Sequence, residues 1–309
     1  MTNTPMFLPV PTCGAAVKPL RALALIAICG IAITACSRDG GDTSPIASLS
    51  VSVSPLEGEV GSPLDMTYTW VVAPNAPSRA ADVWVFVHFL DADGERMWTD
   101  DHQPPTPVKE WKPGSTIRYT RTTFVPRYQY LGQADVAVGL YSRDSGERFR
   151  LSGAEDTGLR SYRVARFDMR PKTDKPFVVF SNGWYDPEGT PDAGGSEWRW
   201  SKSVGTLSFR NPKRDVLLFL DADEPLQLPE PRSAEVHLGS AVIDSFALTA
   251  NQRELRRVNI AASQLGHDDT VEITIAVDRT FVPKALPQLA SADSRELGIR
   301  VFHAYVRPQ

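Results

Sequence analysis

Apolar and polar residues alternate with a period of two along much of this chain. In one run the apolar members are Leu64, Met66, Tyr68 and Trp70, with an aspartate and threonines between them. Successive side chains of a strand point to opposite faces, so this pattern predicts a strand with one buried face. Residues 81–90 are instead apolar at nearly every position, which predicts a strand that is buried on both faces.

Turn signals separate these runs. The chain contains 25 prolines and 21 glycines, which are spread between the apolar runs, and the pair Asp93-Gly94 is typical of a hairpin turn. No helical pattern extends beyond about two turns, although residues 261–265 and 284–289 could form single turns of helix. Short strands separated by frequent turns indicate β-sandwiches.

A charged, proline-rich segment near the middle of the chain predicts a linker. Residues 170–176 contain no large apolar side chain, and such segments commonly separate domains. We therefore predict an all-β fold with two β-sandwich domains, immunoglobulin-like or jelly-roll-like. The first domain is expected at 47–168, the linker at 169–176 and the second domain at 177–309.

The first 35 residues have the layout of an export signal. Lys18 and Arg21 are the only charges before an apolar run at residues 22–35. A bilayer-spanning helix needs about 20 residues, so this run is short for a span, but it suits the core of a signal peptide. The run ends in small residues and is followed directly by Cys36. We therefore predict a signal peptide at 1–35.

The sequence Ile33-Thr34-Ala35-Cys36 resembles the lipobox of bacterial lipoproteins. The resemblance implies cleavage before Cys36, acylation of its sulfur, for example with palmitate, and a membrane anchor at the new N-terminus. Residues 36–46 would then form a flexible tether. The alternative is an ordinary signal peptide, or an uncleaved anchor, with a chance cysteine.

The lipoprotein resemblance also implies a location. The protein would be anchored in the bacterial cell envelope and would face the periplasm. Ser37 follows the cysteine, where enterobacterial lipoproteins that stay at the inner membrane carry aspartate. This difference favours the outer membrane over the inner membrane.

Charge and cysteine content exclude several functions. The net charge is −4 and no basic cluster stands out, so a nucleic-acid partner is not expected. Cys13, Cys29 and Cys36 are the three cysteines, so the predicted domains contain no disulfide and no thiolate chemistry. No pattern indicates a cofactor.

The densest polar cluster lies in the loop at residues 97–114. Carboxylates and a histidine from Asp100 to His102 could act in acid–base catalysis or bind a metal. The spacing matches no metal signature, and the alternative is a rigid loop whose aspartates bond backbone amides. Gly-x-Ser-x-Gly and His-Glu-x-x-His motifs are also missing, so catalysis is not expected. The weak metal candidates are His88, Asp91, Asp101 and His102.

Aromatic residues in polar surroundings form a further candidate site. Aromatic faces can stack on the apolar face of a sugar ring while polar neighbours bond its hydroxyl groups. The alternative is that Trp198 and Trp200, two apart on one strand, fill the core. A second motif, with Asp293, Arg295 and Glu296, predicts a charged network that fixes a loop against the last strand. The aromatic candidates are Trp184, Tyr185, Trp198, Trp200, Trp98 and Trp111.

The first predicted domain resembles β-sandwich modules at the C-terminal ends of bacterial membrane glycosyltransferases. The second half, with its GWY, WRW, DRTFVP and SRELG motifs, is similar to accessory sandwiches of envelope polysaccharide enzymes. Neither resemblance includes catalytic residues, so both imply an accessory, non-catalytic role around glycans. The first resemblance rests on His88, Asp91, Asp101, Pro104, Trp111, Pro113, Gly114, Gly139, Tyr141, Gly146 and Arg148.

Three hypotheses follow. The first is a lipid-anchored envelope protein that binds a glycan, or serves polysaccharide machinery, without catalysis. The second is a scaffold that docks an envelope protein complex. The third is a hydrolase or metal-dependent enzyme that uses the loop from Asp100 to His102.

Overall fold

The computed structural model describes residues 44–76, 82–126, 130–171, 177–189 and 197–309. The predicted signal peptide, the lipobox and most of the tether lie outside these residues. Thr43–Gln309 group into one compact unit by their contacts. Within the described ranges, no helix is long and apolar enough to cross a membrane.

The first ten strands form two sheets. One sheet has the order β6-β3-β1-β8, and the other has the order β2-β10-β7-β4-β5, with β9 paired to β10. A short 3-10 helix at Val108–Glu110 lies in the loop between β5 and β6. The strands are β1 (Ala47–Ser54), β2 (Glu57–Glu59), β3 (Pro63–Val72), β4 (Val83–Leu90), β5 (Arg96–Thr99), β6 (Thr116–Phe124), β7 (Gly132–Ser142), β8 (Leu151–Ser152), β9 (Glu155–Asp156) and β10 (Tyr162–Arg170).

Hydrophobic periodicity explains how these two sheets pack. The alternating apolar residues of β3, from Leu64 to Trp70, are fully buried and join one core cluster with residues of β4, β7 and β10. β4 lies between β5 and β7 inside its sheet, and five of its eight residues are buried. The prediction for β3 is therefore confirmed. β4 is a central strand as predicted, but on its second face only Phe86 is buried, while Trp84, His88 and Leu90 are partly exposed.

The later strands form two further sheets. Their orders are β11-β14-β19-β16-β17 and β12-β13-β20-β15-β18. The elements are β11 (Val179–Phe180), β12 (Glu188–Gly189), β13 (Glu197–Trp200), β14 (Val204–Arg210), β15 (Val216–Glu224), β16 (Arg232–Leu238), β17 (Ala241–Leu248), β18 (Gln252–Ile260), α1 (Ala262–Leu265), β19 (Thr270–Val277), 3-10 helices at Pro283–Ala285 and Pro287–Leu289, and β20 (Arg300–Pro308).

The second pair of sheets encloses its own core. This core includes Leu218, Leu220, Ile273 and Ile275, while a smaller cluster forms around Trp200. The prediction of an all-β fold built from more than one sandwich is thus confirmed. The short helical turns also lie where the sequence indicated them.

Two boundaries differ from the sequence prediction. Ile46, assigned to the tether, is buried in the first core, and its amide donates to the Arg150 carbonyl at 2.9 Å. Met169, assigned to the linker, is buried and belongs to β10, which continues to Arg170. Both residues are apolar. Strand pairing extends through Met169, and Ile46 is held by backbone hydrogen bonds directly before β1. The division into two domains stays a prediction.

Candidate functional site

A cleft with a volume of about 1280 Å³ is lined by residues from both pairs of sheets. The first pair contributes β6 and the ends of β2 and β5, and the second pair contributes β11, β13, β15, β18 and β20. Ligand sites commonly lie in such clefts, where apolar walls surround a few fixed polar groups. The chemistry of this cleft follows from three sets of contacts.

The first set joins the two pairs of sheets. Phe124 at the end of β6 stacks on His303 of β20, with ring centroids 4.1 Å apart and planes 5° from parallel. His303 and Asp221 are direct cross-strand neighbours, and His303 Nδ1 donates to Asp221 Oδ2 at 2.9 Å. The antiparallel register of β15 and β20 therefore fixes the histidine ring against Phe124.

The second set of contacts lies beside this stack. Arg257 of β18 donates to Asp65 Oδ1 at 2.7 Å and also to the hydroxyl group of Thr122. Thr122 itself donates to Asp65 Oδ1 at 2.5 Å. The three side chains form a polar network between β3, β6 and β18, so charge as well as ring stacking connects the two walls of the cleft.

Asp221 is the central carboxylate of the cleft. Its side chain is only 8% exposed, and it accepts two hydrogen bonds from Arg253, at 2.8 and 2.6 Å. Burial raises the pKa of Asp221, but the hydrogen bonds from Arg253 and His303 outweigh this effect and lower the pKa overall. Asp221 is therefore ionised at neutral pH, and it orients both of its partners.

The third set is a row of stacked planar groups. The Arg253 guanidinium lies 3.7 Å from the Phe302 ring centroid. Arg300 lies 5.1 Å from the same ring and 5.0 Å from Trp198. Asp223 holds Arg300 through two hydrogen bonds of 2.7 and 2.6 Å. Guanidinium groups and aromatic rings thus alternate from the cleft towards the Trp200 cluster.

Asp100 lies in the opposite wall of the cleft, whereas His102 of the same loop is buried behind it. Asp100 accepts two hydrogen bonds from Arg121, at 2.7 and 2.9 Å. His102 Nδ1 donates to the Asp100 carbonyl at 2.8 Å, and its Nε2 lies 2.9 Å from the Tyr119 hydroxyl. Because a carbonyl only accepts, the neutral ring carries its proton on Nδ1 and accepts from Tyr119. Burial lowers the pKa of His102, which favours this neutral form.

The four metal candidates serve separate local roles. Asp101 accepts a hydrogen bond from the Val87 amide at 3.0 Å, and Asp91 accepts the amides of its own turn. His88 packs against Phe86 with ring centroids 4.9 Å apart. Burial, with the nearby charges of Arg96 and Arg148, lowers the pKa of His88 to about 4. Among the described residues, no three His, Cys, Asp or Glu side chains are placed to share a metal ion.

Four of the six aromatic candidates pack mainly against other protein groups. Trp98 is buried and stacks on Phe89 with centroids 4.1 Å apart. Trp200 is also buried and packs edge-on against Phe281. The other two donate their indole N–H to backbone carbonyls, Trp184 to Thr206 at 2.8 Å and Trp111 to Thr106 at 2.9 Å.

Tyr185 and Trp198 remain partly exposed. Arg295 lies 5.0 Å from the Tyr185 ring centroid, pairs with Asp293 at 2.7 Å and donates to Glu188 at 2.6 Å. These contacts confirm the pairing of Asp293 with Arg295, but the network reaches Glu188 of β12 rather than Glu296 and the last strand, β20. Glu296 instead accepts a hydrogen bond from Thr280 at 2.5 Å. The motifs that the sequence singled out in the second half therefore pack together.

Trp98 and Asp100 line the cleft and were candidates from the sequence, but the residues around its central carboxylate were not. Asp221 and Asp223 did carry a signal, because they are charged and lie at alternate positions at the end of an apolar strand. No sequence pattern marked Arg253, Phe302 and His303, because their neighbours in space come from strands that are distant in the sequence. Only the register of β15 with β18 and β20 brings these side chains together.

Comparisons with known proteins identify no family. No family model matches the chain, and no curated protein matches it. Among solved structures, the chain is similar to SGBP-B from a xyloglucan utilization locus of Bacteroides uniformis, at 12% identity. That alignment covers 86% of this chain and 74% of the other, with a TM-score of 0.32.

Two further solved structures show weaker similarity. One is the C-terminal CBM6 of LamC from Zobellia galactanivorans, at 11% identity over 43% of this chain and 98% of the module, with a TM-score of 0.25. The other is the DNA glycosylase AlkC of Pseudomonas fluorescens, at 15% identity over 41% of this chain and 31% of that chain, with a TM-score of 0.23. TM-scores this low support no inference about function.

Proposed function

We propose that this protein is a non-catalytic, lipid-anchored component of the bacterial cell envelope that binds a glycan in the cleft. The observation that carries the proposal is the stacking of the oriented Arg253 on Phe302 in the wall of the cleft, from which the row continues behind the wall through Arg300 to Trp198. The proposed anchor is the lipid on Cys36, and the tether after it would let the sheets reach a polysaccharide.

Sugar chemistry suits this arrangement. A pyranose offers an apolar C–H face, which packs on aromatic rings, and a rim of hydroxyl groups, which needs donors and acceptors in fixed positions. Arg253 and Arg121 are each held by an aspartate through two hydrogen bonds. Their side chains are thus ordered before a ligand arrives, which reduces the entropy lost on binding.

The electrostatics favour binding over catalysis. A general acid needs a proton at working pH, and enzymes raise the pKa of a carboxyl group for this purpose. The pKa of Asp221 is instead lowered by its two cationic partners. His102 is buried and hydrogen-bonded at both ring nitrogens, so its ring has no free position to exchange a proton with a substrate.

A polysaccharide array tests the proposal. The full chain, purified in detergent, is applied to immobilised plant and bacterial polysaccharides alongside Arg253→Gln and Arg210→Gln. Arg253 lines the cleft, whereas Arg210 is exposed at the end of β14 and serves as the matched control. We expect binding to at least one polysaccharide, a loss of about tenfold for Arg253→Gln and no change for Arg210→Gln. If no polysaccharide is bound, the proposal is overturned.

A further inference from the structure

The arginines that line the cleft differ in how their charge is balanced. Four of the arginines that the structure describes line it, and three of them contact an aspartate at 2.6 to 2.7 Å. A carboxylate at this distance neutralises the guanidinium and fixes its orientation. The three pairs are Arg121 with Asp100, Arg253 with Asp221, and Arg257 with Asp65.

Arg199 is the fourth of these arginines. Its guanidinium lies 5.4 Å from the Phe180 ring centroid and donates a long hydrogen bond of 3.4 Å to the Tyr185 carbonyl. Within the ranges that the structure describes, no carboxylate forms an ion pair with it. The ring and the carbonyl hold the side chain in the wall of the cleft, but among the described residues they leave its positive charge without a balancing carboxylate.

Glu197 is the nearest carboxylate in sequence, two residues away on β13, and it also lines the cleft. Its side chain is exposed, whereas Arg199 is partly buried. An exposed carboxylate is stabilised by water and needs no partner, while a partly buried guanidinium gains more from an anion because the local dielectric is lower. Glu197 is therefore stabilised by water alone, whereas Arg199 would be stabilised further by an anionic group of a ligand.

We infer that the glycan bound in the cleft carries an anionic group, a carboxylate or a sulfate, and that Arg199 binds it. This inference rests on the proposed glycan-binding function and names its ligand class. A guanidinium presents two parallel N–H donors that match the two oxygens of such a group. Phe180 behind the guanidinium limits its freedom, so the anion would be received in one orientation.

The test compares three soluble polysaccharides of different charge. Polygalacturonate carries carboxylates, dextran sulfate carries sulfates and dextran is neutral. Affinity is measured by calorimetry with the full chain in detergent at low and physiological ionic strength, for the natural protein, Arg199→Gln, Arg199→Lys and the control Arg210→Gln. Lysine keeps the charge but not the two parallel donors.

We expect one anionic polysaccharide to bind at least tenfold more tightly than dextran, and Arg199→Gln to remove this preference. Arg199→Lys should recover part of it, and Arg210→Gln should change nothing. A stronger effect with polygalacturonate identifies a carboxylate, and a stronger effect with dextran sulfate identifies a sulfate. Equal binding of dextran, unaffected by Arg199→Gln, overturns the inference but leaves the proposed function intact. Failure of the polysaccharide array and of all three polymers overturns both.

Discussion

The ring centroids of Phe124 and His303 lie 4.1 Å apart and the ring planes are almost parallel, although the two residues are far apart in the sequence. Phe124 belongs to the first pair of sheets and His303 to the second. Because His303 Nδ1 also donates to Asp221, the stack connects the first pair of sheets to the central carboxylate of the cleft.

This stack should contribute measurably to stability. Aromatic pairs contribute about 0.5–1.5 kcal/mol beyond their buried area, so we expect a coupling energy in this range between Phe124→Leu and His303→Gln in a double-mutant cycle. Urea unfolding of the four proteins provides the measurement. The matched control pairs Phe124→Leu with His267→Gln, since His267 is exposed. Equal coupling in both cycles would show that the stack contributes nothing.

The ion pair of Glu224 with Arg232 should be costly to break. Each side chain is only 4% exposed, and Arg232 also donates to the carbonyls of Arg279 and Gly298, at 2.9 and 2.7 Å. Removing one partner leaves a buried charge, so we expect Glu224→Ala to lower the free energy of unfolding by about 3–5 kcal/mol. Denaturant titration measures this loss.

A double variant provides the control for that prediction. Glu224→Leu with Arg232→Met removes both charges and should destabilise the protein less than Glu224→Ala does. It should not restore full stability, because the carbonyls of Arg279 and Gly298 lose their donor. The explanation fails if the double variant is the less stable of the two.

Stability should fall in mild acid. The folded protein lowers the pKa of His88 to about 4, whereas an unfolded histidine titrates near 6.5. Unfolding therefore takes up a proton between these values. The contribution of His88 is complete above about pH 6.5 and is lost as the pH falls towards 4. His102, whose pKa is also lowered by burial, acts in the same direction.

Thermal unfolding between pH 4 and pH 8 measures this effect. We expect His88→Gln to flatten the decline of Tm in acid, while the exposed control His267→Gln leaves the slope unchanged. A natural slope that persists in His88→Gln would assign the acid sensitivity to other groups.

The proposed lipid anchor depends on one side chain. Cys36→Ala removes the sulfur that would carry the acyl chain, so we expect loss of palmitate labelling, an uncleaved precursor and transfer of the protein from the detergent phase to the aqueous phase in Triton X-114 partitioning. Cys29→Ala is the matched control and should behave as the natural protein does. Normal maturation and partitioning of Cys36→Ala would rule out the lipoprotein assignment.

Periodicity predicted the fold more completely than it predicted the site. The pattern of β3 identified which of its residues are buried, because side-chain direction in a strand depends only on position along the chain. The same reasoning could not predict which of Trp198 and Trp200 is buried. They share a strand face, yet Trp200 is buried by Phe281 while Trp198 meets Arg300. Those partners come from distant segments.

The cleft itself depends on register. Asp221, Arg253 and His303 come from three strands, and a shift of one residue in any pairing would turn a side chain to the opposite face. The hairpin turns and charged motifs are local and could be found from the sequence. The contacts across β15, β18 and β20 are set by the register of three strands that are neighbours in one sheet but distant in sequence.

The row of stacked planar groups ends at the indole of Trp198, whose fluorescence can report on the cleft. Trp198 lies against Arg300, and the row continues through Phe302 to Arg253 at the cleft. A cation held against an indole alters its emission, so we expect a ligand that packs against Arg253 and Phe302 to change the fluorescence of Trp198 through Arg300. Subtracting the spectrum of Trp198→Phe isolates this signal, and occupancy of the cleft can then be followed in unlabelled protein.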